Sequence, residues 1–545
     1  MSDNARLSYL ASYVILDCKK GLKPKHLPAL KVGWKDDGDW LPNAIASLKT
    51  DEATQFLVKK FRTNPQRQGQ LDWALTNIGT DAVKLLMIEF KAANPESEKR
   101  FFSCFRHILK EVEGKGKIIL PDLMSIAESQ DCLPPLRKEA VLTVGSLGGV
   151  DDSVLDRLEK LAETKPNIFK EAVIEAIINN GGLRAAQALA DKIDQSLLAN
   201  ADADKDDPFF RNNYYSIYDI AHIGTAAREV GPRVMKWLNH PEIEARVMAV
   251  RTLGAIGYQE AEKELIPYVS EVRDWRFAYA AVMSLADLKS QNAIPQLKKT
   301  AQTHWNLAVR KVAGDALIKI NTGKYPPEAD PESDENSFSY EAGGYFCEPF
   351  TKKQMKKKWQ IKGSWEHDIS LAELISLHPK HAKLLKQIQE KKNTKKIKVD
   401  LDTIFYPIEG GLFIGTNRGE WGGELFFINS SSPEGTIHVL SRENVVAIVK
   451  WKGDIYVATG IAHMYTNDGM LYKVSKQIGT SPAKIDPIFT LPGCPTRILI
   501  TKDNKLIING FSGLVEFTDF KSPKHFLSPK RHYDENADPF GDLEE

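Results

Sequence analysis

The 545-residue chain has almost no charge excess, few cysteines and no long apolar run. Lysine and arginine number 73 against 72 acidic residues, a net charge of +1. That balance argues against a dedicated nucleic-acid binder, which carries a basic surplus. The five cysteines, Cys18, Cys104, Cys132, Cys347 and Cys494, are odd in number and scattered, with no C-x-x-C pair. A disulfide framework or a zinc centre needs close, even spacing, so no metal is expected. They read as isolated thiols of a reducing compartment, and a cytoplasmic location is expected. Nowhere do 18 uncharged apolar residues run together, so no membrane span is expected. The opening MSDNARLSYLASYVILDCKK carries Asp3 and lacks the apolar core of a signal peptide. Catalytic signatures are also missing: there is no G-x-S-x-G, Walker loop, H-E-x-x-H or kinase motif. No catalytic residue and no cofactor is expected.

What the chain does have is a repeat. Leu75, Ile108, Val144, Ile177, Ile220, Leu253, Leu285 and Leu317 fill one recurring slot, separated by 33, 36, 33, 43, 33, 32 and 32 residues. In the last three units Ala249, Ala281 and Ala313 keep the same register, as do Ile256, Leu288 and Ile320. A period near 33 with two apolar-striped segments per unit describes stacked helical hairpins. The first helix of each unit carries small residues such as Ala249, Gly254, Ala281 and Ala286 where helices must approach closely. The second offers a single apolar stripe, which only stacking can bury. Turns at 79–80 and 148–152 divide the helices. Trp275 and Trp305 begin successive first helices, and they are expected to seal contacts between repeats, with a paired aromatic rim as the other reading.

The segments IEARVMAVRTLGAIGYQEAEKELIPYV and LRKEAVLTVGSLGGVDDSVLDRLEKLAE resemble HEAT repeats, the short kind shared with phycobilisome-lyase-type proteins. The resemblance spans about 280 residues as a pattern and specifies a fold. It implies protein binding along a curved surface. Some members of such families are lyases and some are alkylpurine DNA glycosylases, but no motif of theirs maps onto this sequence.

The 43-residue interval holds an insertion, QSLLANADADKDDP. Asp202, Asp204 and Asp206 imitate the start of a calcium loop, but Asp207 stands where glycine belongs and Asn213 where the bidentate glutamate belongs, so a solvated acidic loop is expected. Phe210, Tyr214 and Tyr218 follow at helical spacing and read as core. Residues 326–350 hold seven acids and no base, and 351–398 hold 14 lysines and four acids. The basic stretch is either an anionic-partner patch or a solvated face neutralised by the acidic linker; the second reading is preferred. His378 and His381 lie among lysines that would repel a cation, and read as surface residues.

From about 399 the texture becomes β. Three blocks led by Leu412, Ile455 and Leu506 are each preceded by a short strand (TIFYPI, VVAIVKW, TRILIT), and GTIHVL and DPIFTL follow the first two. Short strands recurring every 40–50 residues resemble β-propeller blades, although only three units fit. A missing strand from the segment before 363, or a solenoid covering an open edge, would meet the shortfall.

The fold class expected is therefore multidomain α and β: an N-terminal α-solenoid of HEAT-like hairpins and a C-terminal all-β propeller-like domain. The boundaries are an extension over 1–40, the solenoid over 41–323, an acidic linker over 324–350, a basic helical connector over 351–398, the β domain over 399–527 and an acidic tail over 528–545. Candidate binding residues lie in the loops after LFIGT and IYVAT. They are Arg418, Glu420 and Trp421 in NRGEWGG, and His463, Tyr465, Asn467 and Asp468 in the equivalent place of the next block. Aromatic and arginine side chains on loops are common binding hot spots, while the alternative is that they plug and cap turns. The expected partner is another protein, and the expected role that of a non-enzymatic scaffold or adaptor of the inhibitor or immunity kind. The rival readings are a HEAT-type enzyme, lyase or DNA-glycosylase-like, and a nucleic-acid binder using the lysines of 351–398.

Overall fold

The computed structural model describes residues 22–33, 41–64, 68–112, 116–164, 169–199, 213–240, 243–326, 402–409, 411–429, 438–463, 466–475 and 484–527, with a few single positions between 355 and 386. The acidic insertion, Phe210, the linker after 326, His378, His381, Tyr465, the tail from 528 and nearly all of the basic connector lie outside them.

Helices fill the first part: α1 (Leu27–Gly33), α2 (Leu41–Ala46), α3 (Asp51–Thr63), α4 (Gln68–Ile78), α5 (Thr80–Ala92), α6 (Lys99–Glu111) and α7 (Leu120–Glu128). They continue with α8 (Pro134–Ser146), α9 (Asp152–Thr164), α10 (Lys170–Asn180), α11 (Gly182–Ala199), α12 (Asn213–Ile223) and α13 (Gly231–Trp237). Then come α14 (Ile243–Ala255), α15 (Glu262–Leu265), α16 (Trp275–Asp287), α17 (Ile294–Thr303) and α18 (Leu307–Thr322). The chain parts into two compact units, residues 1–233 and 234–545.

In unit 1 the repeating slot is interior: Leu75, Ile108, Val144 and Ile220 have no exposed surface and Ile177 very little. Phe61, Phe90, Phe101, Phe102 and Phe105 form the largest aromatic knot of its core, with Phe90 edge-on to Phe102 at 5.0 Å. The turns fall where glycine permits positive φ: Gly79 (+79°) parts α4 from α5, and Gly148 (+61°) follows α8. Arginines tie hairpin to hairpin. Arg62 reaches Glu89 at 2.7 Å and Glu98 at 3.1 Å, Arg157 grips Glu128 through both carboxylate oxygens at 2.7 Å, and Arg233 meets Asp194 at 2.7 Å and Asp191 at 2.8 Å. Each pair is partly exposed and adds little singly; the stacked apolar faces supply most of the stability.

Unit 2 continues the pattern with Leu253 and Leu285 fully buried, while Leu317 on α18, the last helix of the described repeats, is half-buried. Ala249, Ala281 and Ala313 are buried, as are Ile256, Leu288 and Ile320. The small residue beside the slot lets the helices touch: a Cβ on Gly254 would lie 2.3 Å from Ser284 Cα, and one on Gly145 of unit 1 would lie 2.3 Å from Ala176 Cα. Asp274 caps α16 and Asn306 caps α18, accepting from Arg276 N (3.1 Å) and Ala308 N (2.8 Å). Asp287 is shared by Arg251 and Lys319, and this triad of mostly buried charges holds its carboxyl below the usual range, against the effect of burial.

Among the described residues twelve strands form three antiparallel four-stranded meanders. The first is β1 (Asp402–Ile408), β2 (Gly411–Asn417), β3 (Leu425–Asn429) and β4 (His438–Ser441). The second is β5 (Val445–Trp451), β6 (Asp454–His463), β7 (Thr466–Ser475) and β8 (Lys484–Leu491). The third is β9 (Pro495–Ile500), β10 (Leu506–Gly510), β11 (Gly513–Phe517) and β12 (Lys524–Phe526). Strand order follows chain order in each sheet. The four-strand unit expected from the sequence is therefore present three times, as separate sheets and not as a closed ring. The outer strand of the third, the three-residue β12, went unforeseen because it is short and polar-ended. Neighbouring sheets meet closely at glycines: a Cβ on Gly415 would strike Val445 of the next sheet at 2.5 Å, and one on Gly460 would strike Pro495 at 2.6 Å.

The two tryptophans do more than the sequence reading gave them. Trp275 and Trp305 are buried in a core shared with the sheets, among Trp451, Leu471, Phe489, Leu491 and Phe517. Trp305 stands 4.9 Å from Phe489, and Trp275 Nε1 donates to the Leu491 carbonyl. The Trp305 Nε1 bond to the Val272 carbonyl, at 3.0 Å, runs back to the preceding repeat, so the expected contact between repeats is also made. The helical repeats thereby cover the outer strand β8, whose Thr490 N–H donates to the Arg273 carbonyl at 2.8 Å. An otherwise open sheet edge is satisfied by the loop before α16.

Candidate functional site

The β2–β3 and β6–β7 connections carry the residues singled out from the sequence. Arg418 is half-buried; its Nε donates to the Gly422 carbonyl at 2.9 Å and its guanidinium lies 3.5 Å from Glu424. Asn444, at the start of the next sheet, clamps the same turn, accepting from Arg418 N (3.1 Å) and donating to the Gly419 carbonyl (2.7 Å). Glu420 is exposed at the tip, and the side chains of Trp421 and His463 lie outside those described. Asn467 holds an equivalent brace: its Oδ1 accepts from Cys494 N and its Nδ2 donates to Ser512 Oγ, both at 2.8 Å. Arg418 thus works within the turn that presents Glu420, whereas Asn467 and Asp468, expected on a loop, lie in strand β7, paired with Ala462 and Ile461 of β6.

Asp468 leads to a group that the sequence did not single out. Its carboxylate is open to solvent, yet the surrounding protein pushes its pKa up. Arg276 draws that pKa down, and Glu244 and Glu443 add to the rise. Desolvation by the neighbouring protein is the largest cause of the rise. Glu443 is fixed there, accepting at 2.5 Å from both Thr459 Oγ1 and Tyr472 Oη. Burial, then the Glu443 charge, raises the Tyr472 pKa, so the phenol stays a donor. Arg276 is bound bidentately by Asp274, with Nε to Oδ1 at 2.9 Å and a terminal nitrogen to Oδ2 at 2.7 Å, and it reaches Glu244 at 3.5 Å. Burial, then Asp468, pushes the Cys494 thiol close by up to about 12, which disfavours the thiolate.

Asp274 offsets Arg276, which leaves Glu244, Glu443 and Asp468 as an acidic cluster within electrostatic range of Asp468. Its members come from α14 on one side and from β7 and the approach to β5 on the other. Such a cluster suits an ammonium or guanidinium group. Among the described residues no group of three His, Cys, Asp or Glu is placed to hold a metal ion, and no helix is long and apolar enough to cross a membrane. Only Asp468 was legible beforehand. Glu244, Arg276, Glu443 and Tyr472 sit in unremarkable local sequence and meet only because the repeats dock on the second sheet.

Residues 231–318 match the family model of HEAT repeats. These HEAT repeats include α14 and α16, which carry Glu244 and Arg276. No curated protein sequence matches the chain. Among solved structures, human deoxyhypusine hydroxylase in complex with glycerol is 15% identical over 50% of this chain and 98% of that one, with a TM-score of 0.21. The complex of CpcE and CpcF of phycocyanin lyase from Nostoc sp. PCC7120 is 17% identical over 44% of this chain and 88% of that one, with a TM-score of 0.24. Likenesses this distant carry no argument about activity.

Proposed function

We propose that this protein is a non-enzymatic scaffold or adaptor of the cytoplasm, of the inhibitor or immunity kind. It would bind another protein through the HEAT-repeat surface and the loops of propeller-like sheets. The observation that carries the reading is the acidic cluster of Glu244, Glu443 and Asp468, to which the repeats and the second sheet both contribute. Its uncompensated negative charge suits a basic anchor from a partner, and arginine is among the residues that dominate binding energy at protein interfaces.

The test is affinity capture from the native host with the full chain and with Asp468→Arg, followed by titration of the purified pair. A partner retained by the wild type and weakened about tenfold or more by the charge reversal supports the reading. A partner held equally by both, or turnover of a small molecule by the purified chain, overturns it.

A further inference from the structure

A hollow in unit 2 has the opposite chemistry. A cavity of about 540 Å³ opens between α17, the start of α18 and the loop leading into β12. Four cations line it, Lys299, Arg310, Lys521 and Lys524, and no Asp or Glu does. In a chain whose net charge is only +1 this is a concentrated positive site. Arginines elsewhere in the fold are matched, as Arg251 is by Asp287 and Arg276 by Asp274. Among the described residues none of these four cations has a carboxylate partner.

The cations are held apart by ordered structure. Arg310 is half-buried and its Nε donates to the His304 carbonyl, which fixes the guanidinium plane. Asp519 Oδ1 accepts from Lys521 N (2.8 Å) and Ser522 N (2.9 Å), setting the turn that delivers Lys521 and Lys524 to the rim. The two histidines of the wall have both ring nitrogens engaged. His304 Nδ1 accepts from Asn306 N at 3.1 Å and its Nε2 donates to the Glu271 carbonyl at 3.0 Å. His525 Nδ1 accepts from Leu307 N at 3.3 Å and its Nε2 donates to the Ser512 carbonyl at 2.6 Å. The imidazoles are therefore framework, and the charge available to a ligand belongs to the lysines and Arg310.

We propose that this cavity binds a small molecule bearing a multiply charged oxyanion such as a phosphoryl group, with Arg310 and Lys299 grasping it from the helices and Lys521 and Lys524 from the strand side. The volume is that of a small-ligand site, and a guanidinium beside ammonium groups is the donor set that recognises phosphoryl oxygens. The site lies outside the acidic cluster and does not depend on the scaffold reading.

Inorganic pyrophosphate is the probe, titrated calorimetrically into the full chain at low ionic strength. Saturable one-to-one binding with a Kd below about 1 mM is expected. Arg310→Gln should weaken it about tenfold or more, as should the exposed pair Lys521→Ala/Lys524→Ala, while Lys263→Ala, away from the cavity, leaves it unchanged. The lysine pair keeps the test valid if Arg310→Gln disturbs folding. Absence of saturable binding up to about 10 mM, or binding indifferent to the lysine pair, overturns the proposal. An acidic peptide that binds more tightly than pyrophosphate through the same lysines overturns the small-molecule assignment.

Discussion

Trp275 Nε1 donates a 2.9 Å hydrogen bond to the carbonyl of Leu491, across 216 residues of sequence. The indole belongs to a helical repeat and the carbonyl to the last residue of β8, so one side chain joins the two kinds of structure in unit 2. The ring is 4% exposed and packs beside Ala278 and Phe489.

Removing that ring should be costly. Trp275→Ala is expected to destabilise by about 3–5 kcal/mol, and Trp275→Phe by about 1–3 kcal/mol because the Leu491 carbonyl loses its donor. Trp73→Ala, at a side chain 61% exposed, should stay within about 0.5 kcal/mol. Urea midpoints of the three variants check this, and equal losses at Trp275 and Trp73 would contradict the shared core.

Two helical glycines should respond with opposite signs. Gly254→Ala forces a methyl carbon to 2.3 Å from Ser284 Cα, so α14 and α16 must separate, at about 1–3 kcal/mol. Gly314 on α18 has nothing within 4 Å of its notional Cβ, and Gly314→Ala should stabilise by about 0.5–1 kcal/mol through helix propensity and reduced unfolded-state entropy. Thermal melts of the pair decide it; two shifts of the same sign refute the stacking geometry.

Acid should weaken unit 2 through His525. Burial is the main cause that lowers its pKa to about 4 from the ordinary imidazole value of 6.5, with the Arg310 charge assisting. The unfolded chain takes up a proton below about 6.5 where the native imidazole does not. The stability this histidine contributes is therefore present above that pH and is lost as pH falls towards 4, by about 3 kcal/mol. His525→Gln should flatten this limb in urea titrations between pH 7 and pH 4.5. An unchanged slope would place the proton elsewhere.

The hairpin repeat was legible because burial has a period. Leu253 and Leu285 recur 32 apart, and each must face the same interior when identical units stack, so spacing alone marks them. The strands of the sheets were legible for a related reason: VVAIVKW and DIYVATG are β-branched runs divided by Lys452–Gly453, which adopts φ of +51° and +87°. The candidate sites were not. Asp468 was singled out as a loop acid, but its raised pKa comes from surroundings that include Glu443 and Glu244, residues ordinary in their own neighbourhoods.

The sequence by itself determined the elements, their periodic cores and the glycines at their turns, because those depend on neighbours within a few tens of residues. Tertiary structure alone decided that Trp275 and Trp305 would fill a core shared with the sheets as well as joining repeats. It alone gathered acids from distant segments into one cluster and set around a cavity four cations that have no carboxylate partner among the described residues. Charge is read by whatever lies close in space, and no local pattern records which distant segment that will be.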